Sequence, residues 1–190
     1  MSKQRLVVGI SGSTGAIFGI RLLEILKKSK EIETHLVISK AAERTIPWET
    51  AYSVTQVRDL ATAHYPVADI GAKLSSGSFA TMGMVIAPCS VKTLAAVANG
   101  FCSDLLARAA DVTLKERRRM VLLVREAPLT LAHIRNMESV TLMGGVIVPP
   151  VPAFYNKPQN MDDVVNHILG RVLDLFGLDV NLVKRWQGMK

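Results

Sequence analysis

The sequence predicts a doubly wound α/β domain built on a mainly parallel β-sheet. Five short apolar runs, rich in β-branched residues, are each followed by helical material. These runs are continuous rather than alternating, which is typical of strands covered on both faces of a parallel sheet. A chain of 190 residues that is 49% hydrophobic and 21% charged can bury one sizeable core, so we expect a single domain over residues 1–190.

Strands and helices are predicted to alternate along the chain. The strands are expected at residues 5–11, 34–39, 84–88, 120–124 and 146–149, and the helices at 16–28, 41–46, 54–61, 91–98, 104–117, 130–142 and 161–176. The last helix has the clearest pattern, an apolar stripe at helical spacing with Asn160 as a candidate N-cap. Two segments break the alternation: 64–83 is polar and predicted to be a long loop, and 149–158 is stiffened by four prolines.

Composition excludes several classes of protein. The formal net charge is +7, but the basic residues are scattered apart from one run at 115–119, and no nucleic-acid-binding motif is present. Two cysteines are too few for a disulfide framework, and no apolar run reaches the ~18 residues that span a bilayer. We therefore expect a cytoplasmic protein with no nucleic-acid partner and no membrane span, whose apolar surplus favours a homo-oligomer.

The turn after the first strand is a candidate anion site. Gly12-Ser13-Thr14-Gly15 leads directly into a helix, whose free N–H groups and positive end would face a phosphate. A flavodoxin-like strand order, 2-1-3-4-5, would place this turn beside residues 89–93. The glycine spacing is not that of dinucleotide sites, and strand two ends in Ser39-Lys40 without an acid, so FMN fits better than NAD. The alternative is a tight turn that needs glycine only for packing.

Charged residues near strand ends are the other candidates for chemistry. Arg125-Glu126 follows the fourth predicted strand, where an arginine can bind phosphate oxygens and a carboxylate can move a proton. Arg171 lies beside the apolar stripe of the last helix, so it could face inward at its edge. Each of these, like Arg108 and Lys115, could equally be a solvated charge or part of an ion pair.

Aromatic residues near the C-terminus could stabilise a cation. Tyr155 lies in the proline-rich segment, and Trp186 could either serve a site or dock on a neighbour. A nucleophile elbow is excluded because residues 9–13 lack its second glycine. The four histidines have no metal-ligand spacing, so no metal site is expected.

Nine motifs in order along the chain carry a family resemblance. They are GISGSTG at 9–15, ETHLVISK at 33–40, SSGSF at 75–79, PCS at 88–90, RAADV at 108–112, LKER at 114–117, REAP at 125–128, PPVPAFY at 149–155 and RWQG at 185–188. Together they resemble the UbiX-type flavin prenyltransferases, formerly described as aromatic acid decarboxylases. The resemblance implies a flavodoxin/Rossmann-like fold of the homo-oligomeric flavin-containing decarboxylase superfamily, typically a dodecamer.

The resemblance also implies a reaction and a set of site residues. A dimethylallyl group would pass from dimethylallyl monophosphate to N5 and C6 of reduced FMN, with no metal, and the product would serve a UbiD-type decarboxylase. The implied FMN-binding residues are Ser13, Thr14, Gly15, Ser39, Ser90, Val91, Lys92, Thr93 and Arg125. The implied substrate-binding residues are Arg108, Lys115, Arg125, Tyr155 and Arg171, of which the last four would meet the prenyl phosphate. The implied catalytic residues are Glu49 and Glu126 for proton transfer, Lys115, and Trp186, which with Tyr155 would flank the allyl cation.

Two alternatives remain beside the prenyltransferase. One is direct FMN-dependent decarboxylation of a cysteine derivative, but the asparagine-containing motif of that branch is absent at residues 88–90. The other is a non-catalytic flavin-binding or assembly subunit of an aromatic acid decarboxylase, against which the cluster of cations and carboxylates argues. The chain also departs from many relatives at Ser13-Thr14 and at Trp48, which precedes Glu49.

Overall fold

Within the described residues, six parallel strands form one sheet in the order β3-β2-β1-β4-β5-β6. The computed structural model describes residues 3–12, 14–183 and 185–188. The strands are β1 Gln4–Ile10, β2 Ile32–Ile38, β3 Ala63–Tyr65, β4 Gly83–Cys89, β5 Arg119–Val124 and β6 Val146–Ile147. Leaving out the short edge strand β3, the order matches the predicted 2-1-3-4-5, so the first and third predicted strands are neighbours as expected.

In the part of the chain that the structure describes, seven α-helices cover both faces of the sheet. They are α1 Ala16–Lys27, α2 Lys40–Glu49, α3 Val54–Arg58, α4 Val91–Ala98, α5 Leu105–Lys115, α6 Leu131–Leu142 and α7 Met161–Asp174. The first three and α7 pack on one face, and α4, α5 and α6 pack on the other. The doubly wound α/β prediction is confirmed.

The continuous apolar runs form strands because both of their faces are buried. In β1, Leu6 and Val8 belong to the core on the α1 side, whereas Val7 between them belongs to the core on the α5 side. All seven residues of β4 are buried. Every position in β4 therefore contacts an apolar layer, which explains the absence of the period-two alternation of half-exposed strands.

Two predictions of secondary structure are wrong. The segment 64–83 is not a loop throughout, because Ala63–Tyr65 pairs in parallel with β2 and a short 3₁₀ turn follows at Lys73–Ser75. Helix α2 does not stop at residue 46 but continues through Pro47 to Glu49. Proline removes one N–H, but so close to the end of the helix only one intrahelical hydrogen bond is lost. Most other bounds differ from prediction by one to three residues.

A buried histidine joins the edge of the sheet to the segment after β3. His35 is 2% exposed, and its Nδ1 lies 2.9 Å from the hydroxyl of Tyr65. Its ring contacts Phe79 edge-on, and Arg5 and Lys73 lie over the Phe79 ring at 4.8 and 4.9 Å. Burial, and to a lesser extent the nearby charge of Lys73, lower the pKa of His35 from 6.5 to about 4. The imidazole is therefore neutral at neutral pH.

We predict that His35 makes the fold less stable in mild acid. The unfolded chain binds the proton at a higher pH than the folded chain does, so the stability is fully present above pH 6.5 and is lost as the pH falls towards 4. Denaturant unfolding at pH 7 and pH 5, at one protein concentration, measures this loss. In His35→Gln the loss should be smaller than in wild type, whereas the exposed-site control His64→Gln should behave as wild type. Equal losses in all three proteins would contradict the prediction.

Candidate functional site

A cavity of about 570 Å³ lies at the carboxyl ends of the central strands. The residues that follow β1, β2, β4 and β5 converge there, as expected for an open parallel α/β sheet. The volume is in the range of small-molecule and cofactor sites. The lining residues are Ser11, Gly12, Thr14, Ser39, Lys40, Ala41, Val67, Ala68, Pro88, Cys89, Ser90, Val91, Lys92, Thr93, Ser103, Asp104, Arg125 and Glu126. We refer to this space as the carboxyl-edge cavity.

Ser11 joins the ends of β1 and β4 at the centre of the carboxyl-edge cavity. It is 1% exposed, and its Oγ accepts a hydrogen bond of 3.0 Å from the backbone N–H of Ser90 and donates one of 3.4 Å to the carbonyl of Pro88. Its own N–H donates to the same Pro88 carbonyl at 3.1 Å. Proline has no N–H for the ladder, and the pairing of β4 with β5 is irregular between Ile86 and Cys89. Ser11 thus holds the distorted end of β4 against β1.

Gly12 permits this close approach. Its φ is 102°, a left-handed conformation that favours glycine, and an added Cβ would lie 3.0 Å from the Cβ of Ser90. A side chain at this position would push the loop after β4 away from the first turn. Gly12 therefore shapes the site. The alternative interpretation, in which the turn needs glycine only for packing, describes part of its role.

Three helices begin at the carboxyl-edge cavity with side-chain N-caps. Ser39 accepts from the N–H of Ala42 at the start of α2, Ser90 accepts from the N–H of Thr93 at the start of α4, and Asp104 caps α5. Each cap satisfies one N–H and leaves others of the first turn pointing outward. Because helix N-termini carry partial positive charge, the cavity favours an anionic group.

The N-terminus of α1 is already occupied by a side chain. The Glu49 carboxylate accepts hydrogen bonds from the backbone N–H groups of Gly15 at 2.8 Å and Ala16 at 3.3 Å. The turn that leads into this helix was predicted to be an anion site, and in this structure the anion at the helix end is a carboxylate from the end of α2. The protein itself thus supplies a negative charge to this helix end.

Three cations line the carboxyl-edge cavity. Lys40, Lys92 and Arg125 form no ion pairs within the part of the chain that the structure describes. Glu126 stands next to Arg125, and its carboxylate accepts from the N–H of Ala127 at 3.1 Å. A site with unpaired cations and helix N-termini suits a phosphate monoester, and the adjacent carboxylate is placed to exchange a proton with it.

Most of the predicted FMN residues meet in this one place. Seven of the nine line the carboxyl-edge cavity: Thr14, Ser39, Ser90, Val91, Lys92, Thr93 and Arg125. Gly15 lies just behind its wall, with the Cδ of Arg125 3.5 Å from where a Cβ would stand. Ser13 falls outside the described residues. Of the predicted catalytic residues, Glu126 lines the cavity and Glu49 borders it at the start of α1.

The other predicted residues lie elsewhere in the same chain. Lys115 is the last residue of α5, and this helix begins at the cavity directly after Asp104. About 15 Å of helix therefore separates Lys115 from the cavity. Its amine pairs with Glu116 at 2.5 Å, a contact that lowers the pKa of the Glu116 carboxyl. Arg108, one turn into α5, donates hydrogen bonds to Asp111 at 2.7 Å and to the carbonyl of Ser75 at 3.3 Å. Neither side chain reaches the carboxyl-edge cavity.

A second group of predicted residues gathers around α7. The Tyr155 and Trp186 rings pack edge-to-face with centroids 5.5 Å apart, and the Tyr155 hydroxyl lies 3.3 Å from Nε2 of His167. The Arg171 side chain is 56% exposed and pairs with Asp174 at 2.8 Å, so of the two alternatives left open by the sequence it forms an ion pair and does not face inward. We call Tyr155, His167, Arg171 and Trp186 the tyrosine cluster. No member of it lines the carboxyl-edge cavity in the described structure.

Several lining residues were not predicted from the sequence. Ser11 was considered only as a nucleophile, and Asp104, the first residue of the predicted helix 104–117, could have been found from that position. Lys40 was noted from the sequence as suited to a phosphate, and it lines the cavity. Val67 and Ala68 come from the segment predicted to be a loop. The carbonyl of Val67 accepts from the N–H of Leu105 at 2.8 Å, which ties that segment to the start of α5.

Comparisons with known proteins agree with this geometry. The family model described as Flavoprotein matches residues 1–173. The flavin prenyltransferase UbiX of Neisseria meningitidis serogroup B is 54% identical over 186 residues, which cover 98% of both chains. The chain belongs to the UbiX flavin prenyltransferase family. The predicted family and α/β fold are therefore confirmed.

Solved structures of the family superpose closely. A UbiX protein in complex with FMN and dimethylallyl pyrophosphate has a TM-score of 0.96 and 51% identity, over 99% of this chain and 100% of the other. A dodecameric FMN-dependent UbiX-like decarboxylase from Escherichia coli O157:H7 also has a TM-score of 0.96, at 50% identity over 97% and 100% of the two chains. An FMN-dependent cysteine decarboxylase of thioviridamide biosynthesis is only 16% identical at a TM-score of 0.67, a likeness of fold alone.

Within residues 3–12, 14–183 and 185–188, no three His, Cys, Asp or Glu side chains are grouped so as to hold a metal ion. No helix in those same ranges has both the length and the apolar character needed to cross a bilayer.

We predict that Ser11→Ala weakens both the fold and the binding of flavin. The change leaves the partly buried N–H of Ser90 without its acceptor, which costs about 1 kcal/mol. It also loosens the start of α4, so the FMN dissociation constant should rise. Denaturant unfolding and fluorescence titration with FMN measure the two effects. The exposed control Ser78→Ala should change neither, and an unchanged FMN affinity in Ser11→Ala would contradict the proposed role of Ser11 in shaping the cavity.

Proposed function

We propose that the protein is a flavin prenyltransferase that moves a dimethylallyl group from dimethylallyl monophosphate to N5 and C6 of reduced FMN. The observation that carries the proposal is that seven residues expected to bind FMN line one cavity, together with unpaired cations and helix N-termini. Family membership supports the reaction, since a 54% identical relative is a flavin prenyltransferase. A relative of similar likeness was solved with both FMN and dimethylallyl pyrophosphate.

The donor groups of the carboxyl-edge cavity fit FMN. Ser39 and Lys40 at the start of α2, and Ser90 and Lys92 at the start of α4, offer N–H groups, hydroxyls and positive charge to its phosphate. Apolar lining from Val67, Ala68 and Val91 suits a flat ring system. The N-terminus of α1 is held by Glu49, so we assign the flavin phosphate to the other helix ends. When bound and reduced, FMN supplies the nucleophilic nitrogen and carbon that accept the prenyl group.

The protein's own groups act on the leaving phosphate and on protons. Departure of phosphate from the prenyl donor leaves an allylic cation and an anion, and Arg125 in the cavity wall is placed to stabilise the anion. Glu126 beside it is placed to exchange a proton with a phosphate oxygen. Glu49 holds the N–H groups of Gly15 and Ala16 through Oε2 alone, so its other oxygen, Oε1, can exchange a proton with the flavin.

We further propose that a second copy of the chain completes the site. Three cations and two carboxylates, Asp104 and Glu126, line the cavity, whereas two phosphate monoesters together carry a charge of about −4. Lys115, Tyr155, Arg171 and Trp186 would supply the missing charge and aromatic surface, but within one chain they do not reach the cavity. Large apolar side chains such as Trp48, Leu142 and Phe154 are 77–89% exposed, which supports an oligomer, and a relative is dodecameric.

The product would serve another enzyme. A flavin carrying a fourth ring has no further use in this cavity, and the family resemblance indicates a UbiD-type decarboxylase as its recipient. A reaction that consumes reduced flavin needs a reducing compartment, which supports the cytoplasm as its location.

The direct test of the function is formation of the prenylated flavin. Purified protein is mixed anaerobically with reduced FMN and dimethylallyl monophosphate, and the flavin is analysed by mass spectrometry. We expect a flavin heavier by one prenyl unit, formed without added metal and unaffected by a chelator. Bound FMN with no adduct under any reducing condition would overturn the proposal. Release of carbon dioxide from an aromatic acid by the protein alone would instead favour the FMN-dependent decarboxylase.

Complementation between two inactive variants tests the second copy. Arg125→Gln damages the carboxyl-edge cavity, and Arg171→Gln damages the tyrosine cluster while leaving FMN bound. If each site combines the cavity of one copy with the cluster of another, randomly mixed oligomers contain about a quarter of intact sites, so co-expression should restore about that share of activity.

The matched control pairs Arg125→Gln with Glu126→Gln. Both residues line the cavity of the same chain, so no mixed oligomer contains an intact site and activity should stay lost. If co-expression of Arg125→Gln with Arg171→Gln restores no more activity than this control, the tyrosine cluster does not act on another copy's cavity. Loss of FMN from Arg171→Gln would show that Arg171 is wrongly assigned to the prenyl phosphate.

A further inference from the structure

One buried polar group in the tyrosine cluster has no role in the function proposed above. His167 on α7 is 6% exposed, and its Nε2 lies 3.3 Å from the hydroxyl of Tyr155. The two rings meet edge-on at 80°, with centroids 5.7 Å apart, and Tyr155 meets Trp186 on another side. Tyr155 is itself 49% exposed. His167 is therefore the buried support behind an aromatic residue that faces outward.

The other ring nitrogen of His167 indicates where its proton lies. Nδ1 is buried and has no hydrogen-bond partner in the described structure. A buried N–H donor without an acceptor is rarer and more costly in proteins than a buried acceptor without a donor. The neutral imidazole is therefore best accommodated with Nδ1 bare and the proton on Nε2. Burial, and to a lesser extent the charge of Arg171, lower the pKa of His167, which favours this neutral form.

This tautomer decides what the tyrosine hydroxyl can do. If Nε2–H donates to the Tyr155 oxygen, the phenolic proton is left free to be donated to a third group. If Nε2 instead accepted from the hydroxyl, the phenolic proton would be used within the protein. Only the first arrangement leaves Tyr155 as a donor to an anion that approaches its exposed side.

We propose that His167 is a positioning residue that donates Nε2–H to Tyr155 and so keeps the Tyr155 hydroxyl aimed, as a donor, at the phosphate of the prenyl substrate. The inference deepens the proposed function and depends on Tyr155 binding the prenyl phosphate, as the family resemblance implies. Arg171 lies one turn after His167 on α7, so a single helix face would present the supported hydroxyl and a guanidinium to the same anion.

The test compares single and double variants of the FMN-bound oligomer. His167→Phe keeps an aromatic ring but removes the donor, His167→Gln can still place an N–H near Nε2, and Tyr155→Phe removes the hydroxyl. Calorimetric titration with dimethylallyl monophosphate, using the oxidised flavin so that no turnover occurs, gives its dissociation constant. Steady-state adduct formation gives KM and kcat separately. Thermal unfolding and FMN affinity report on structural damage, and the exposed-site control is His64→Phe.

We expect His167→Phe to raise the dissociation constant and KM for dimethylallyl monophosphate roughly fivefold to tenfold, the effect of one hydrogen bond. FMN affinity should stay within about twofold, and His167→Gln should recover most of the loss, since an aligned donor is retained. In the Tyr155→Phe background, His167→Phe should have no further effect, because the hydroxyl through which it acts is gone.

Three results would overturn the proposal. They are an equal effect of His167→Phe with and without the Tyr155 hydroxyl, equal damage by the glutamine and phenylalanine variants, and no effect of Tyr155→Phe on binding of the prenyl phosphate. If the binding results follow expectation but wild-type protein forms no adduct, the positioning role stands and the proposed transferase activity fails. If His167→Phe does not fold, the comparison of His167→Gln with Tyr155→Phe still tests the proposal. The proposal requires His167→Gln to bind dimethylallyl monophosphate more tightly than Tyr155→Phe does.

Discussion

The close approach of β1 to the loop after β4 is the constraint on which the whole site depends. Ser11 holds it with hydrogen bonds to Ser90 and Pro88, and Gly12 allows it by having no side chain. Helices α1 and α4 then start from neighbouring points, and Ser39 brings in α2 by donating its N–H to the carbonyl of Ile10 at 2.9 Å. The positive ends of the helices face one volume because the strands that precede them are locked together.

Most of the fold could be predicted because buried parallel strands leave a plain pattern in the sequence. Five strands and seven helices follow from continuous apolar runs and helical periodicity. Strand β3 escaped prediction because it is three residues long and its central residue, His64, is exposed and polar. The extension of α2 beyond Pro47 was not predicted because proline has a low helix propensity. A tertiary contact holds that last turn, since Glu49 at its end accepts a hydrogen bond from the start of α1.

The site was predictable to the extent that its residues follow strands. Ser39, Ser90 and Arg125 were found because the carboxyl ends of parallel strands meet at one edge. The role of Glu49 at the α1 N-terminus could not be predicted from position, because it joins groups 34 residues apart and depends on how α2 packs. Tyr155, Arg171 and Trp186 were recognised through resemblance, but only the structure adds His167 to them and shows that the tyrosine cluster stands apart from the cavity of its own chain.

That separation has a chemical consequence for the proposed reaction. An allylic cation reacts with water unless aromatic side chains exclude the water from it. A phosphate leaves readily only where enough positive charge stabilises the anion. One chain provides the flavin-binding half, with Arg125, and leaves Tyr155, Arg171 and Trp186 on a different surface. In the proposed oligomer, ionisation therefore begins only where two copies enclose the substrate. Assembly and chemistry are then controlled by the same contacts, so an unassembled chain can bind flavin without releasing a reactive cation into water.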